Sequence, residues 1–386
     1  MKNIKTMNKI AAVGLSQLDS ANYTISDTVE NPDAILVRSA SLHDIEFPKS
    51  LLAIARCGAG VNNIPCDKCA EEGIVVFNTP GANANGVKEL AIAALLLSSR
   101  KIVDGIAWAN TLESDVAKQV EKGKSAFAGC ELMGKTLGVI GLGAIGGLVA
   151  NSAKSLGMKV IGCDNFLTVE AAWHLSRSIN KASTNDEIFE VADYITLHVP
   201  STPQTRGMIN AEAIEKMKDG VKIINLSRAD LVDIDAVKAA LASGKISAYV
   251  TDFPTEDSIN CEGIITIPHL GASTEESEDN CAVMAARQVD DFLQNGNIVN
   301  SVNYPSVSLP RTEGEKRIVI LHRNLPNIIS TITTNISSQG INIEHMANRS
   351  KGDYACTIVG TMVELSDETV AKISEMENVI RVMVLN

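Results

Sequence analysis

The sequence predicts an α/β protein with two doubly wound, Rossmann-like parallel-sheet domains and a small ferredoxin-like domain at the C-terminal end. Three observations predict it. Short apolar runs alternate with amphipathic stretches in two series, over 10–78 and 136–267, and strands separated by helices form parallel sheets covered on both faces. The second series opens on Gly141-Leu142-Gly143-Ala144-Ile145-Gly146, placed between a strand and a helix. Beyond residue 316 the rhythm becomes strand, helix, strand, strand, helix, strand, which is the ferredoxin-like order.

The elements follow in sequence. Apolar runs at 10–15, 34–38, 52–56 and 74–78 read as strands, and 87–106 as one long helix with apolar residues at helical spacing. Between Lys135 and Lys154 lie eighteen uncharged residues, the nominal lower bound for a membrane span. Five of them are glycines, so a strand, a turn and a new helix fit better. Strands follow at 136–141, 159–164, 194–199, 221–226, 247–252 and 263–267, then a helix over 275–293. Residues 301–315 are rich in Ser and Pro without an apolar period and read as a linker. The last unit places strands at 317–322, 341–349, 354–363 and 379–385, with helices over 326–339 and from 367.

Length and charge narrow the class. At roughly 150 residues per domain, 386 residues suggest two or three domains. An apolar share of 45% supports a buried core. The net charge of −12 argues against a nucleic-acid or anionic-membrane binder, which needs a basic face. Aromatics at 4% leave few bases for stacking platforms. The apolar run at 10–15 is shorter than a secretory signal requires, so the chain is expected to be soluble and cytoplasmic. Eight cysteines spread from Cys57 to Cys356 form no compact framework, and reduced thiols are expected. Cys66-x-x-Cys69 lacks a second pair or a nearby His, so no metal is expected.

The glycine loop carries a specific chemistry. Gly141 allows a tight turn, Gly143 lets backbone approach a pyrophosphate, and Gly146 permits close helix–strand packing. The helix N-terminus at Ala144 and Ile145 stabilises the phosphate charge. Asp164 ends the second strand, eighteen residues after Gly146, where a carboxylate binds ribose hydroxyls and repels a 2′-phosphate. NAD is therefore favoured over NADP. Farther on, Arg228, Glu256 and His269 stand at or just after strand ends, the edge where ligands bind in open α/β sheets.

Together these segments resemble the D-2-hydroxyacid dehydrogenases. The likeness rests on ARCGAGVNN (55–63), FNTPGANANGVKEL (77–90), GVIGLGAIG (138–146), NLSRADLVD (225–233), FPTE (253–256) and PHLGAST (268–274). The resemblance implies that Arg228 binds the substrate carboxylate, His269 is the acid/base, and Glu256 orients and tunes His269. A guanidinium fork matches a carboxylate, and imidazole titrates near neutrality. The resemblance also implies cofactor contacts at His198, Pro200, Thr205, Leu226, Ser227, Asp252, His269 and Gly271. Two departures stand out. Thr251 occupies the place of the family Asp that contacts the nicotinamide amide, and Asp252, displaced by one, would face away in an unbulged strand. Ala144 stands where relatives often carry a basic residue.

The segment ILVRSAS (35–41) looks like that of members acting on 3-phosphoglycerate. Carried over, Arg38 and Arg56 contact the substrate, with Gly58 and Asn78 supplying backbone and amide contacts and Lys124 coming from a neighbouring subunit. RIVILHRNLPN (317–327) and QGINIEHMANRSKGDYACTIVG (339–360) resemble an ACT domain, an amino-acid-sensing module. That likeness implies an L-serine effector at His322, Asn324 and Asn342, and a homo-oligomer, dimer or tetramer. Asn327 replaces the usual Gly after Pro326 and is among the residues best able to adopt φ > 0. The expected division is 1–95 with 275–303 for substrate, 96–274 for NAD and 316–386 for control. Two alternatives stay open: a dehydrogenase of a non-phosphorylated hydroxy acid (glyoxylate, hydroxypyruvate or lactate), and a non-catalytic NAD- and amino-acid-sensing regulator.

Overall fold

The computed structural model describes residues 1–385. The chain divides into two compact units, one of residues 1–83 with 278–385 and one of residues 84–277.

The first unit holds a five-stranded parallel sheet built from β1 (Lys2–Met7), β2 (Tyr23–Ser26), β3 (Ala34–Val37), β4 (Ala53–Arg56) and β5 (Val75–Phe77), in the order β2-β1-β3-β4-β5. Alternation in β3 shows why it lies inside. Ala34 and Leu36 join one buried cluster while Ile35 and Val37 join the other, as a strand covered on both faces requires. The helix Glu275–Asn295 covers one face through Ala285, Val289 and Phe292.

One expectation fails here. The apolar run at 10–15 is not a strand, because Ala12–Leu15 forms a helical turn. Gly14 in that turn lies so close to Ala282 that a Cβ would collide. The first strand is instead Lys2–Met7, in which only Ile4 is fully buried, so it carries little apolar signal. β2 escaped notice for the same reason.

The second unit begins with the helix Ala84–Arg100. The single helix expected over 87–106 is interrupted, since Lys101 takes a left-handed φ of 44° before a second helix, Ile102–Ala109. Seven parallel strands follow: β6 (Thr136–Ile140), β7 (Lys159–Cys163), β8 (Asn180–Lys181), β9 (Tyr194–Leu197), β10 (Val221–Asn225), β11 (Ile246–Thr251) and β12 (Ile264–Thr266). Their order is β12-β11-β10-β9-β6-β7-β8, the doubly wound pattern in which the chain reverses direction across the sheet after β8. The uncharged stretch 136–153 is indeed strand, turn and helix, the helix being Ala144–Ser155. No helix among the described residues is long and apolar enough to cross a membrane.

The C-terminal part of the first unit is an antiparallel sheet of β13 (Lys316–Arg323), β14 (His345–Lys351), β15 (Tyr354–Thr361) and β16 (Val379–Leu385), ordered β14-β15-β13-β16. One face, through Ile318, Ile320 and Val359, packs on Ile328, Ile332, Ile336 and Ile373 of its two helices. The opposite face, through Val319, Leu321, Cys356, Ile358, Met383 and Leu385, shares a core with Phe292, Leu293, Tyr304 and Val307. The sheet is therefore docked on the rest of its unit. Arg381 reinforces the contact by donating to the carbonyls of Leu51 (2.8 Å) and Glu72 (2.8 Å).

This docking corrects the reading of 301–315 as a linker. Tyr304 is fully buried, its hydroxyl donating to the Ala70 carbonyl at 2.7 Å, and Val307 is buried as well. At its end Glu315 and Arg317 form a fully buried ion pair at 2.7 Å. Arg311 and Arg317 also donate to the carbonyls of Gln294 (2.8 Å) and Asn295 (2.9 Å). Those are orphan carbonyls at the C-terminus of the helix Glu275–Asn295, where cations are favourable. Composition alone could not show this, because the polar residues of the segment satisfy one another inside.

Burial by itself would raise the Glu315 carboxyl, but hydrogen bonds from Thr312 and Arg317 outweigh it and hold its pKa below the usual value of 4.5. Glu315→Gln leaves Arg317 charged and uncompensated, a loss of about 3–5 kcal/mol, visible as a lower urea midpoint. The Glu315 contribution is full above its ordinary pKa and is lost as pH falls through the depressed folded value. The acid slope of stability should accordingly be shallower in the variant.

Candidate active site

The glycine loop turns directly out of β6. Gly141 has a φ of 89°, and a Cβ there would strike the His198 carbonyl at the end of β9. Gly146 packs so closely on the Gly141 carbonyl that no side chain fits. A Cβ at Gly143 would meet no atom within 4 Å, so the space above it is open. Gly143 is also the N-cap of the helix Ala144–Ser155, which has no side-chain cap and no acid in its first turn. Its free N–H groups and dipole suit a pyrophosphate. Ala144 is exposed and Ile145 half-buried at that turn.

Asp164 stands just after β7 and has two roles. Its Oδ2 accepts from the Leu142 N–H and its Oδ1 from the Phe166 N–H, each at 2.8 Å. The first bond holds the glycine loop, and the carboxylate keeps lone pairs for ribose hydroxyls. His198 places Nε2 2.9 Å from Thr196 Oγ1, while its buried Nδ1 has no partner among the described residues. Burial pushes its pKa down to about 4, so the ring is neutral at physiological pH. Beyond it the Thr205 hydroxyl donates to the Pro200 carbonyl at 2.6 Å. Ser227 Oγ donates to the Leu197 carbonyl at 2.7 Å, and Leu226 is buried.

Arg228 and His269 converge on one residue that sequence reasoning had not singled out. The Arg228 guanidinium lies 5.4 Å from the centre of the Phe253 ring, and the His269 ring centre lies 4.4 Å from it. Phe253 thus fixes two side chains from different strand ends by ring contact. The signal was present in FPTE but read only for its Glu. Glu256 is exposed and makes no hydrogen bond or ion pair among the described residues, so the structure does not join it to His269. Asp252 is the carboxylate that interacts electrostatically with both His269 and Arg228.

The expectation that Asp252 faces away assumed an unbulged strand. β11 instead holds one extra residue, Ser247, opposite the Val221–Lys222 step of β10, and such a bulge changes which face later residues take. Asp252 is 1% exposed, and its Oδ2 accepts from the Gly271 N–H at 3.3 Å. Its Oδ1 has no hydrogen-bond partner among the described residues, which suits an amide N–H donor. Burial raises the Asp252 pKa against the opposing pull of His269 and Arg228.

In the first unit, Arg38, Arg56, Gly58 and Asn78 do gather. Arg56 Nε donates to the Arg38 carbonyl at 3.1 Å, and its guanidinium occupies the space where a Gly58 side chain would stand. The Asn78 amide donates to the Ala59 carbonyl at 2.7 Å and holds that loop. Glu278, unremarked in the sequence, forms an ion pair with Arg38. Lys124 pairs with Glu121 on the exposed surface.

The three effector candidates are engaged within the fold. His322 is 2% exposed, its Nδ1–H donates to the Arg323 carbonyl at 2.8 Å, and its Nε2 lies 2.9 Å from Thr357 Oγ1. Asn324 donates to the Gly352 carbonyl at 3.1 Å and Asn342 to Glu344 at 2.8 Å. Asn327 takes the left-handed φ of 68° that a Gly would otherwise supply.

A parallel doubly wound sheet with this glycine loop and strand-end acid defines a dinucleotide-binding domain. Residues 92–271 match the family described as D-isomer specific 2-hydroxyacid dehydrogenase, NAD binding domain. The chain is 32% identical over 355 residues to the D-3-phosphoglycerate dehydrogenase of Haemophilus influenzae, covering 88% of this chain and 83% of that protein. It is 36% identical over 315 residues to the D-3-phosphoglycerate dehydrogenase of Methanocaldococcus jannaschii, covering 79% of this chain and 58% of that protein. The match thus spans little more than half of that longer relative. Among solved structures, the NAD+-bound 3-phosphoglycerate dehydrogenase of Entamoeba histolytica superposes with a TM-score of 0.61 at 28% identity, over 78% of this chain and 98% of that one. The chain belongs to the D-isomer specific 2-hydroxyacid dehydrogenase family, and NAD is its cofactor.

The glycines make separable predictions. Gly143→Ala meets open space and should leave the melting temperature unchanged while weakening NAD about tenfold or more, measured by calorimetric titration. Gly146→Ala collides with backbone and should lower the melting temperature as well.

Proposed function

We propose that the chain oxidises 3-phosphoglycerate to 3-phosphohydroxypyruvate with NAD, the first step of L-serine synthesis. The observation that carries this reading is the convergence of Arg228 and His269 on Phe253, beside Asp252, at the strand ends that follow the dinucleotide loop. Bound NAD supplies the hydride acceptor. His269 takes the proton from the C2 hydroxyl as general base, and Arg228 holds the C1 carboxylate through its fork. Glu256 stabilises the imidazolium once substrate is bound, and Asp252 Oδ1 receives the carboxamide N–H. Gly141, Gly143, Ala144, Ile145 and Gly146 hold the pyrophosphate, and Asp164 the ribose. His198, Pro200, Thr205, Leu226, Ser227 and Gly271 complete the cofactor contacts. Arg38 and Arg56 meet the phosphate, with Gly58 and Asn78 shaping their loop.

The Arg38–Glu278 pair favours a second reading, a non-phosphorylated 2-hydroxy acid, because it neutralises one of the two arginines. Against it, a dianionic phosphate competes for Arg38 better than a side-chain carboxylate does. NADH absorbance with 3-phosphoglycerate, glycerate, lactate and glyoxylate separates the readings, and silence with all of them leaves a non-catalytic sensor. His269→Ala should lose at least about a hundredfold in kcat. Arg228→Ala should act mainly through KM. Near-normal turnover of the His269 variant removes the assigned base.

Further parts of the reading concern assembly and control. A homo-oligomer is supported by the apolar exposure of Ile102, Val103, Ile106 and Val116 on the two helices, Ile102–Ala109 and Val116–Gly123, that precede Lys124. L-serine control is supported by the βαββαβ unit, with Asn324 and Asn342 touching effector and the buried His322 holding their loop. Millimolar serine should slow turnover or shift the melting temperature. Eight free thiols fit a reducing, cytoplasmic setting.

A further inference from the structure

A polar cavity of about 150 Å³ opens in the second unit beside Cys130, Tyr194 and three lysines, Lys135, Lys218 and Lys222. It lies at the N-terminal ends of the central strands, since Thr136, Tyr194 and Val221 begin β6, β9 and β10. The dinucleotide loop, His198 and Arg228 all follow the C-terminal ends of the same strands. Four or five residues of strand, about 15 Å, separate the two edges.

The charges around the cavity do not cancel. Asp193 accepts the Thr136 N–H at 2.8 Å and pairs with Lys218 at 3.1 Å. Asp219 pairs with Lys245 at 2.9 Å. Asp193 also feels the charge of Lys135 at longer range, while the Lys135 and Lys222 ammonium groups make no direct hydrogen bond or ion pair among the described residues, so three lysines face two acids. Lys222 lies 5.2 Å from the centre of the Tyr194 ring, held at the cavity by that contact. The Tyr194 hydroxyl is 2.9 Å from Ser99 Oγ and 3.3 Å from Cys130 Sγ. The Ser99 hydroxyl itself donates to the Leu95 carbonyl, so the Tyr194 proton goes to Ser99 and the Cys130 thiol meets the Tyr194 oxygen. An excess of lysines over acids around a small polar cavity, with Lys135 just before β6 and Lys222 within β10, is unusual in a chain of net charge −12. Their mutual repulsion is relieved by an anion between them.

We propose that this cavity is a second anion site, taking a phosphate-sized tetrahedral oxyanion between Lys135 and Lys222. The oxyanion is either free phosphate or the phosphate of a small monoester. Because the thiol of Cys130 lines the same space, occupancy covers it and can be read there. The test treats the full chain with iodoacetamide and follows carbamidomethylation of the Cys130 peptide by mass spectrometry. Inorganic phosphate and glycerol 3-phosphate are each compared with chloride at equal ionic strength, and Cys66 and Cys261, also half-buried, serve as internal references.

Phosphate at twice its Kd should slow Cys130 about threefold, as expected for simple occupancy, without slowing the reference thiols. Lys135→Gln/Lys222→Gln should abolish the protection, and the exposed Lys135→Gln alone should reduce it in a fully folded chain. Protection by phosphate assigns the site to the free ion, and protection by the ester alone assigns it to a phosphorylated metabolite. Equal rates in phosphate, ester and chloride, or undiminished protection in the lysine variants, overturn the proposal.

Discussion

The close backbone approach between β6, its following helix and the end of β9 is the constraint on which the rest of the site depends. Gly146 lets the helix Ala144–Ser155 rest on the Gly141 carbonyl, and Gly141 itself rests on the carbonyl of His198. β6 lies between β7 and β9, so this contact falls at the reversal of strand order, where an open α/β sheet leaves its crevice. With that approach fixed, the helix N-terminus, Asp164 and His198 surround one space. A single methyl group on Gly146 would move the helix and separate them.

The parts legible from sequence were those written in period and spacing. The apolar runs of β3 and β4, the glycines at 141, 143 and 146, and the βαββαβ rhythm near the end are local signals, and local signals survive without coordinates. Elements that draw their stability from distant partners were harder to read. Lys2–Met7 is mostly polar and becomes a strand because it pairs with β2 and β3. The 301–315 segment has no apolar period because its anchors, Tyr304 and Glu315, each bury by a specific bond. The break at Lys101 is a left-handed residue that no composition announces.

The same distinction holds within the site. Arg228 and His269 could be named from strand ends, but the aromatic ring that positions them required three dimensions. Asp252 depended on the extra residue at Ser247, which shifts register without leaving a sequence mark. Glu278 was hidden because helices commonly carry acids in the first turn, and only the fold shows that this one meets Arg38. Pairing of that kind matters in an acidic chain, because a cation matched by a local carboxylate must exchange that partner before it can hold another anion.

Docking of the C-terminal sheet gives that charge economy a structural consequence. A sheet tethered by a free linker could move without disturbing its neighbours. Here its inner face shares a core with Phe292 and Leu293, and Arg317 caps the helix Glu275–Asn295 from within β13. That helix begins directly after the His269–Thr274 segment, with Thr274 Oγ1 accepting the Ser277 N–H in its first turn. Any rearrangement of β13 must therefore either break the bond from Arg317 to the Asn295 carbonyl or carry the helix with it. Arg317 is fully buried, so losing that bond would leave a donor without water or protein to accept it, and the sheet and the helix C-terminus are held together within their unit.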